Sequence, residues 1–322
     1  MPKKQDIIDA WRSLTSWQDR IDVAQQLSSI CESQYIEEEL SPGVSDDILL
    51  NNDTKHVIVV GDILQSGCLV NSPVDMVFTS PPYNAKIQYD EYNDEKTTED
   101  YLSFLQDAFD QVDKCVKPGG RVIINIRDIT MSTGSRFPII VHFYNHLCIK
   151  LGYKYRGLHI WYKGREESST GWGSFMKSSN PSIIDLYEYV FVFQKSGSRK
   201  NGDDDMTKSE FIENVLGIWK IRPVKKIFSS KDGPIQKVAH PCPFPVELAK
   251  RVIRVYSNVG DTVFDPVAGI ATTSIAAAMC GRNSICFDIS PSYVQLGKKY
   301  FRCKVGNLFS NSKLVSSLEQ KL

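Results

Sequence analysis

The stretch Phe264-Asp265-Pro266-Val267-Ala268-Gly269-Ile270-Ala271-Thr272-Thr273 joins a short strand, Thr262-Val263-Phe264, to a helix predicted over Thr273–Cys280. Small residues in such a turn let the backbone approach a ligand, and the free N–H groups at the helix start favour an anion. The next predicted strand, Ser284-Ile285-Cys286-Phe287, ends in Asp288. An acidic residue at the tip of a second strand, about twenty residues after the turn, is placed to accept hydrogen bonds from ribose hydroxyls. Together these features describe a nucleoside-binding strand–helix–strand unit.

Outward from this unit the same alternation continues. Upstream, Pro245 to Tyr256 reads as an amphipathic helix with proline at its start. It follows His240-Pro241-Cys242-Pro243-Phe244, which is either a rigid turn or a stiff wall on which Phe244 packs against the cofactor. Residues 291–301 form a further predicted helix. Nearer the start, His56-Val57-Ile58-Val59-Val60 and Val74 to Thr79 read as strands. A helix over roughly 98–115 then ends before Pro118-Gly119-Gly120, and Arg121 to Ile126 is a strand. A helix near 137–151 precedes two strands, about 154–162 and 187–194, which can pair as an antiparallel unit at one sheet edge. Alternating strands and helices imply an α/β fold with a mostly parallel sheet covered on both faces. The expected organisation is a helical N-terminal extension (1–55), a catalytic half (56–195), a target-recognition segment (196–238), a cofactor-binding half (239–305) and a C-terminal tail (306–322).

The 322 residues are 42% hydrophobic, enough for a large core, and 38 basic residues balance 38 acidic ones. A nucleic-acid surface must therefore come from local clustering rather than net charge. Met1-Pro2-Lys3-Lys4-Gln5-Asp6 lacks a signal-peptide core and no apolar run has the length of a membrane span, so a cytoplasmic location is expected. The eight scattered cysteines, with no Cys-x-x-Cys pair, read as free thiols. His142 and His146 share a predicted helix face but lack a third ligand nearby, so no metal is expected.

The residues in the turn narrow the ligand. Asp265-Pro266 puts a carboxylate where it would repel a pyrophosphate yet suit the amine of S-adenosylmethionine, and Thr272 and Thr273 can meet the methionine carboxylate. A second constellation, Ser80-Pro81-Pro82-Tyr83, follows the strand ending at Thr79, so it projects from the carboxyl edge of the sheet. Exocyclic amines of bases are poor nucleophiles because their lone pair is delocalised into the ring. Methylating one requires hydrogen-bond acceptors that hold the amine in a near-attack geometry. Ser80 Oγ and the Pro81 carbonyl can accept, Pro81-Pro82 stiffens the loop, and Tyr83 offers a face for an extruded base.

At these two motifs the chain resembles the amino-methyltransferases of DNA, in the class whose catalytic motif precedes the cofactor motif. The resemblance spans roughly 56–303. The family's loop reads Asp/Asn/Ser-Pro-Pro-Tyr/Phe and its turn Asp-Pro-Phe-x-Gly-x-Gly-Thr-Thr. Val267 and Ala271 depart from that turn, and Ala271 is strained if its φ is positive. The resemblance implies a Rossmann-like, circularly permuted methyltransferase fold with a seven-stranded, mostly parallel sheet and an antiparallel edge hairpin. It implies S-adenosyl-L-methionine as cofactor, bound by Asp62, Phe244, Phe264, Asp265, Pro266, Ala268, Gly269, Thr272, Thr273 and Asp288, with Asp62 near the adenine. Ser80, Pro81, Pro82 and Tyr83 are the implied catalytic residues.

Serine at the first loop position is associated in this family with cytosine N4, and aspartate with adenine N6, which stays open. The implied substrate is a flipped base in double-stranded DNA, in a restriction-modification system with a cognate endonuclease, in the nucleoid of a prokaryote or in a phage. Oligomeric state is left open. Lys163, Arg165, Arg222, Lys225 and Lys226 are the candidate phosphate or base contacts. A catalytically inactive DNA-binding relative is the rival reading, and an RNA or protein-glutamine methyltransferase the third. Pro241-Cys242 and Glu213-Asn214-Val215 resemble elements of cytosine-C5 enzymes, but in the wrong order and setting for a cysteine nucleophile.

Overall fold

The computed structural model describes residues 47–51, 54–65, 73–131, 134–164, 173–199, 201–224 and 242–306. In chain order the strands are β1 (Asp47–Asn51), β2 (Thr54–Val60), β3 (Val74–Thr79), β4 (Val116–Ile126), β5 (Ile129–Thr130), β6 (Arg136–Phe137), β7 (Lys154–Tyr162), β8 (Tyr187–Gln194), β9 (Ile218–Lys220), β10 (Thr262–Asp265) and β11 (Asn283–Asp288). The helices are α1 (Thr98–Cys115), α2 (Ile139–Phe143, continuing as a π-helical turn through Tyr144–Lys150), α3 (Lys208–Asn214), α4 (Val246–Tyr256), α5 (Thr272–Met279) and α6 (Pro291–Gly306).

The seven expected strands lie in the order β2-β11-β10-β3-β4-β8-β7, and two more extend the sheet to nine, β1 outside β2 and β9 outside β7. The last strands of the chain thus occupy its middle. β2, β11, β10, β3 and β4 are mutually parallel, while β8 runs antiparallel to both β4 and β7. Alternation along the strands sends side chains to opposite faces. Val77, Val122 and Ile124 join a core beneath α1 and α2, whereas Met76, Phe78 and Ile123 join one beneath α4 and α5. Both faces are covered, as a parallel sheet requires.

Several expectations are corrected. Strand β1 lies inside the segment expected to be a helical extension, and residues 1–46 fall outside the described ones. Strand β4 starts at Val116 rather than at the expected Arg121, with Pro118-Gly119-Gly120 as an irregularity inside it: the register with β3 shifts between Val116 and Arg121, while Lys195 N donates to Gly120 O at 3.0 Å. Cys115 is disulfide-bonded, against the expectation of free thiols, while Cys148, Cys242, Cys280, Cys286 and Cys303 are free.

The segment 196–238 divides in two. Its first part is clamped to residues that precede β10 and β11, at the amino edge of the sheet. Arg199 pairs with Asp261, and the fully buried Arg282 donates to Asp205 at 2.7 Å and to Ser257 O at 2.7 Å. Arg254 of α4 binds Glu210 of α3 at 2.9 Å. These pairs hold the acidic 203–210 stretch on the side opposite the catalytic loop. Strand β9 then runs parallel to β7 and returns the chain to the carboxyl edge, held by the buried Trp219, whose ring stacks on His159 at 4.0 Å. Among the described residues no helix is long and apolar enough to cross a membrane.

Candidate active site

At the carboxyl edge a cavity of about 230 Å³ opens between the turn that follows β10 and the loop that follows β3. Pro266, Val267, Ala268, Gly269, Ile270, Thr272, Asp62, Asp288 and Phe244 line one side, and Ser80, Pro81, Pro82 and Tyr83 the other. Tyr89, Tyr92 and Tyr293 complete its rim.

The cofactor side is built from short-range contacts. The Asp288 carboxylate accepts from Gly269 N at 2.7 Å and from Ser290 N at 2.9 Å, tying the β10 turn to the end of β11. Burial raises its pKa to about 6. Gly269 and Ala271 both adopt left-handed backbone, with φ of +53° and +58°. For alanine this costs roughly 1–2 kcal/mol. The Ala271 methyl does not reach the cavity. It is buried in the core with Val294 and Phe301, over Gly297 of α6. A Cβ on Gly297 would sit 2.9 Å from the Ile270 carbonyl carbon, 3.0 Å from its oxygen and 3.2 Å from Ala271 Cβ, so glycine here admits the Ile270 backbone first and leaves space for the Ala271 methyl as well.

Three expected cofactor contacts lie behind the cavity wall instead. Asp265 is fully buried, accepting from Thr273 Oγ1 at 2.6 Å and Val267 N at 3.2 Å, and burial lifts its pKa to about 6. Phe264 packs edge-on against Phe287, with ring centroids 5.2 Å apart. A strand end that faces two helices buries its side chains, so these residues shape the turn from beneath. Phe244 does line the cavity and packs on Phe78. Asp62 caps its own turn through Leu64 N at 2.9 Å.

The catalytic loop is held both by a nearby carboxylate and by distant partners. Asn84 and Lys86 have positive φ, and the buried Asp94 accepts from Asn84 N, Ala85 N and Ile87 N at 2.9, 2.9 and 3.1 Å. Tyr101 OH of α1 donates to Pro82 O at 2.6 Å. Asp90, further along, accepts from Ser290 and Ser292 at the start of α6, so the loop bridges both sides of the cavity. Ser80 Oγ lies 2.9 Å from Tyr83 OH, which donates to Glu188 Oε2 at 2.7 Å. Asn125 Nδ2 donates to Tyr83 OH at 2.9 Å and to Glu188 Oε2 at 2.7 Å. Burial and the Glu188 carboxylate push the Tyr83 hydroxyl well above the usual tyrosine range.

Lys163, expected as a phosphate contact, is turned inward. Its ammonium pairs with Glu188 and lies over the Trp161 ring at 4.9 Å. Arg222 is exposed and follows β9 at the carboxyl edge, whereas Arg165, Lys225 and Lys226 lie outside the described residues. Among the described residues no cluster of potential metal ligands occurs.

Glu188, Asn125 and Asp94 escaped the sequence reading, yet two of them carried a signal. Glu188 shares a strand face with the buried Val190 and Val192, and Asn125 one with Ile123. A charge or amide in phase with a core face needs a buried partner.

Comparison with known proteins agrees with this geometry. The family model described as DNA methylase matches residues 74–299. The chain is 29% identical over 272 residues to the Type II methyltransferase M.MthZI of Methanothermobacter thermautotrophicus, covering 76% of this chain and 75% of that one. A Thermus thermophilus protein assigned to the DNA modification methylases, TTHA0409, solved in complex with S-adenosyl-L-methionine, superposes with a TM-score of 0.57 at 28% identity, over 78% of this chain and 93% of that one. The cytosine-N4-specific PvuII DNA methyltransferase shares the fold, with a TM-score of 0.58 at 20% identity over 79% and 91% of the two chains.

Proposed function

Because this chain belongs to the DNA methylase family, matched over residues 74–299, we propose that it methylates the N4 amine of a cytosine flipped out of duplex DNA. The cofactor is S-adenosyl-L-methionine, which supplies an electrophilic methyl group. The cavity fits it: a carboxylate at the end of β11, the N-terminus of α5 beside Thr272, and the aromatic wall of Phe244 suit ribose, carboxylate and adenine in turn.

One observation carries the reading. Ser80 and the turn 266–270 line the same cavity, so an acceptor for a base amine faces the cofactor side directly. Ser80 Oγ and the Pro81 carbonyl accept the two amine N–H bonds, turning the nitrogen lone pair towards the methyl group. Tyr83, with Arg127 5.9 Å over its ring, offers a face to the extruded base. A neutral serine at this position supports cytosine N4 over adenine N6, since it accepts a hydrogen bond without setting a full charge beside the ring.

The topology supports a DNA path along the carboxyl edge. The connection between β7 and β8 and the segment after β9 both emerge there, so Arg222 and the following lysines are the candidate phosphate contacts, while 199–214 is not. The type II relative supports a setting alongside a restriction endonuclease. Incubation with methyl-labelled cofactor and duplex DNA, followed by nucleoside analysis, tests the proposal. N4-methylcytosine is expected; N6-methyladenine would reassign the base, and unlabelled DNA would overturn the function. Plasmid methylated in this way should also resist an endonuclease of matching recognition sequence.

A further inference from the structure

We propose that Glu188 is a positioning residue that makes Ser80 an acceptor towards the target amine and receives, through Tyr83, the proton that the amine gives up. The inference rests on the methyltransferase reading above and adds the destination of the proton.

A serine hydroxyl can donate or accept, and only the second is useful to an amine. Its direction is set by what lies behind it. The Glu188 carboxylate, 6% exposed, only accepts, and it takes Tyr83 OH at 2.7 Å. The Tyr83 hydrogen is thereby committed, leaving its oxygen to accept from Asn125 Nδ2 at 2.9 Å and from Ser80 Oγ at 2.9 Å. Ser80 then donates backwards; Asn125 Nδ2 approaches one of its lone pairs at 3.4 Å, and the other is left for the cavity that Ser80 lines. Asn125 reinforces this polarity, because its amide nitrogen also binds Glu188 at 2.7 Å. The reversed amide would set oxygen against carboxylate. The retained orientation leaves Asn125 Oδ1 buried without a hydrogen-bond partner, a cost that the network imposes.

The same chain is a path for a proton. As the amine nitrogen bonds to the methyl carbon, the carbon–sulfur bond breaks and its electron pair stays on sulfur. The nitrogen, now cationic, loses one proton to Ser80 Oγ as the Ser80 proton passes to the Tyr83 oxygen and the Tyr83 proton to Glu188 Oε2. Glu188 ends protonated beside Lys163 and releases its proton to solvent after product leaves. No additional co-reactant is needed. Family loops with aspartate at the first position put a carboxylate directly on the amine; here serine stands there and the carboxylate stands two hydrogen bonds behind it.

The test uses the full chain and three variants: Glu188→Gln, Tyr83→Phe and the double substitution. Single-turnover methylation of a duplex is measured with calorimetric affinities for S-adenosylmethionine and for the duplex. Glu188→Gln is expected to slow methyl transfer about a hundredfold, with both affinities within about twofold of the parent. Tyr83→Phe, which keeps the ring and removes only the link, should slow it comparably. The double variant should be no slower than the slower single one, since all three break one chain. Full-rate transfer by Glu188→Gln or Tyr83→Phe would overturn the proposal. So would multiplied losses in the double variant, or a fall in cofactor affinity parallel to the fall in rate. If the parent protein itself leaves DNA unmethylated, the functional reading fails instead.

Discussion

The two sides of the cavity are built differently. On the cofactor side, polar contacts join neighbours: Asp265 to Thr273 eight residues on, Asp288 to Gly269 nineteen residues before it and to Ser290 two residues after. On the catalytic side Asp94 likewise serves neighbours, but the reacting groups do not: Tyr83 meets Glu188 across 105 residues and Asn125 across 42. The first side is a turn that shapes itself; the second is an assembly of strand ends that exists only when the sheet is formed. On both sides a carboxylate holds backbone N–H groups, Asp288 in one case and Asp94 in the other; only on the catalytic side are the reacting side chains held by one another.

Separate perturbations should therefore affect the two sides separately. Ser80→Ala is expected to have the largest effect, lowering the methylation rate by about 10²–10³ while calorimetric cofactor affinity stays unchanged. An equal loss of affinity would show that the two sides are not independent. Gly297→Ala attacks the cofactor turn from behind and should cost about 1–3 kcal/mol of stability in urea unfolding. Adding Ala271→Gly should return more stability than the same change gains in the parent, where it only relieves the positive φ; equal gains would mean that the two residues do not share the space.

Asp94→Asn keeps shape but sets an amide NH2 donor against at least one of the loop N–H groups that the carboxylate oxygens accept, so a rate roughly five- to tenfold lower is expected together with a stability loss of about 1–3 kcal/mol. The smallest effect is one of pH. Asp288 has a pKa raised to about 6, and its ionised form is the better acceptor for ribose hydroxyls. Cofactor affinity should then weaken as pH falls through 6, by roughly fivefold between pH 8 and pH 5. Asp288→Asn should flatten that profile; an unflattened one would assign the titration to Asp265 instead, whose pKa is also about 6.

The cofactor turn was legible because its features sit on one continuous strand–turn–helix–strand unit, Gly269 and Asp288 nineteen residues apart. Asp288 at a strand tip and Gly269 in a tight turn need only local geometry to be recognised. Ser80 was legible for the same reason, following directly from β3. Lys163 shows the limit. A lysine beside glycine at a loop start reads as surface charge, and its inward turn depends on Glu188 on the neighbouring strand, 25 residues away. Within the segment 196–238 the same holds for Arg199, whose charge serves an ion pair with Asp261 at the far edge of the sheet.

By itself the sequence determined the α/β alternation, the two turns that define the cavity and the cofactor class, because hydrophobic period and turn chemistry act over short distances. Only the tertiary structure decided that Asp265, Phe264 and Thr273 sit behind the cavity wall, that Gly297 accommodates Ala271, and that Ser80 is backed by Tyr83, Asn125 and Glu188. Those outcomes depend on which strands lie side by side and in what register. A one-residue shift in the pairing of β8 with β4 would send Glu188 to the other face. In the observed register Glu188 and Asn125 come together beneath the catalytic loop.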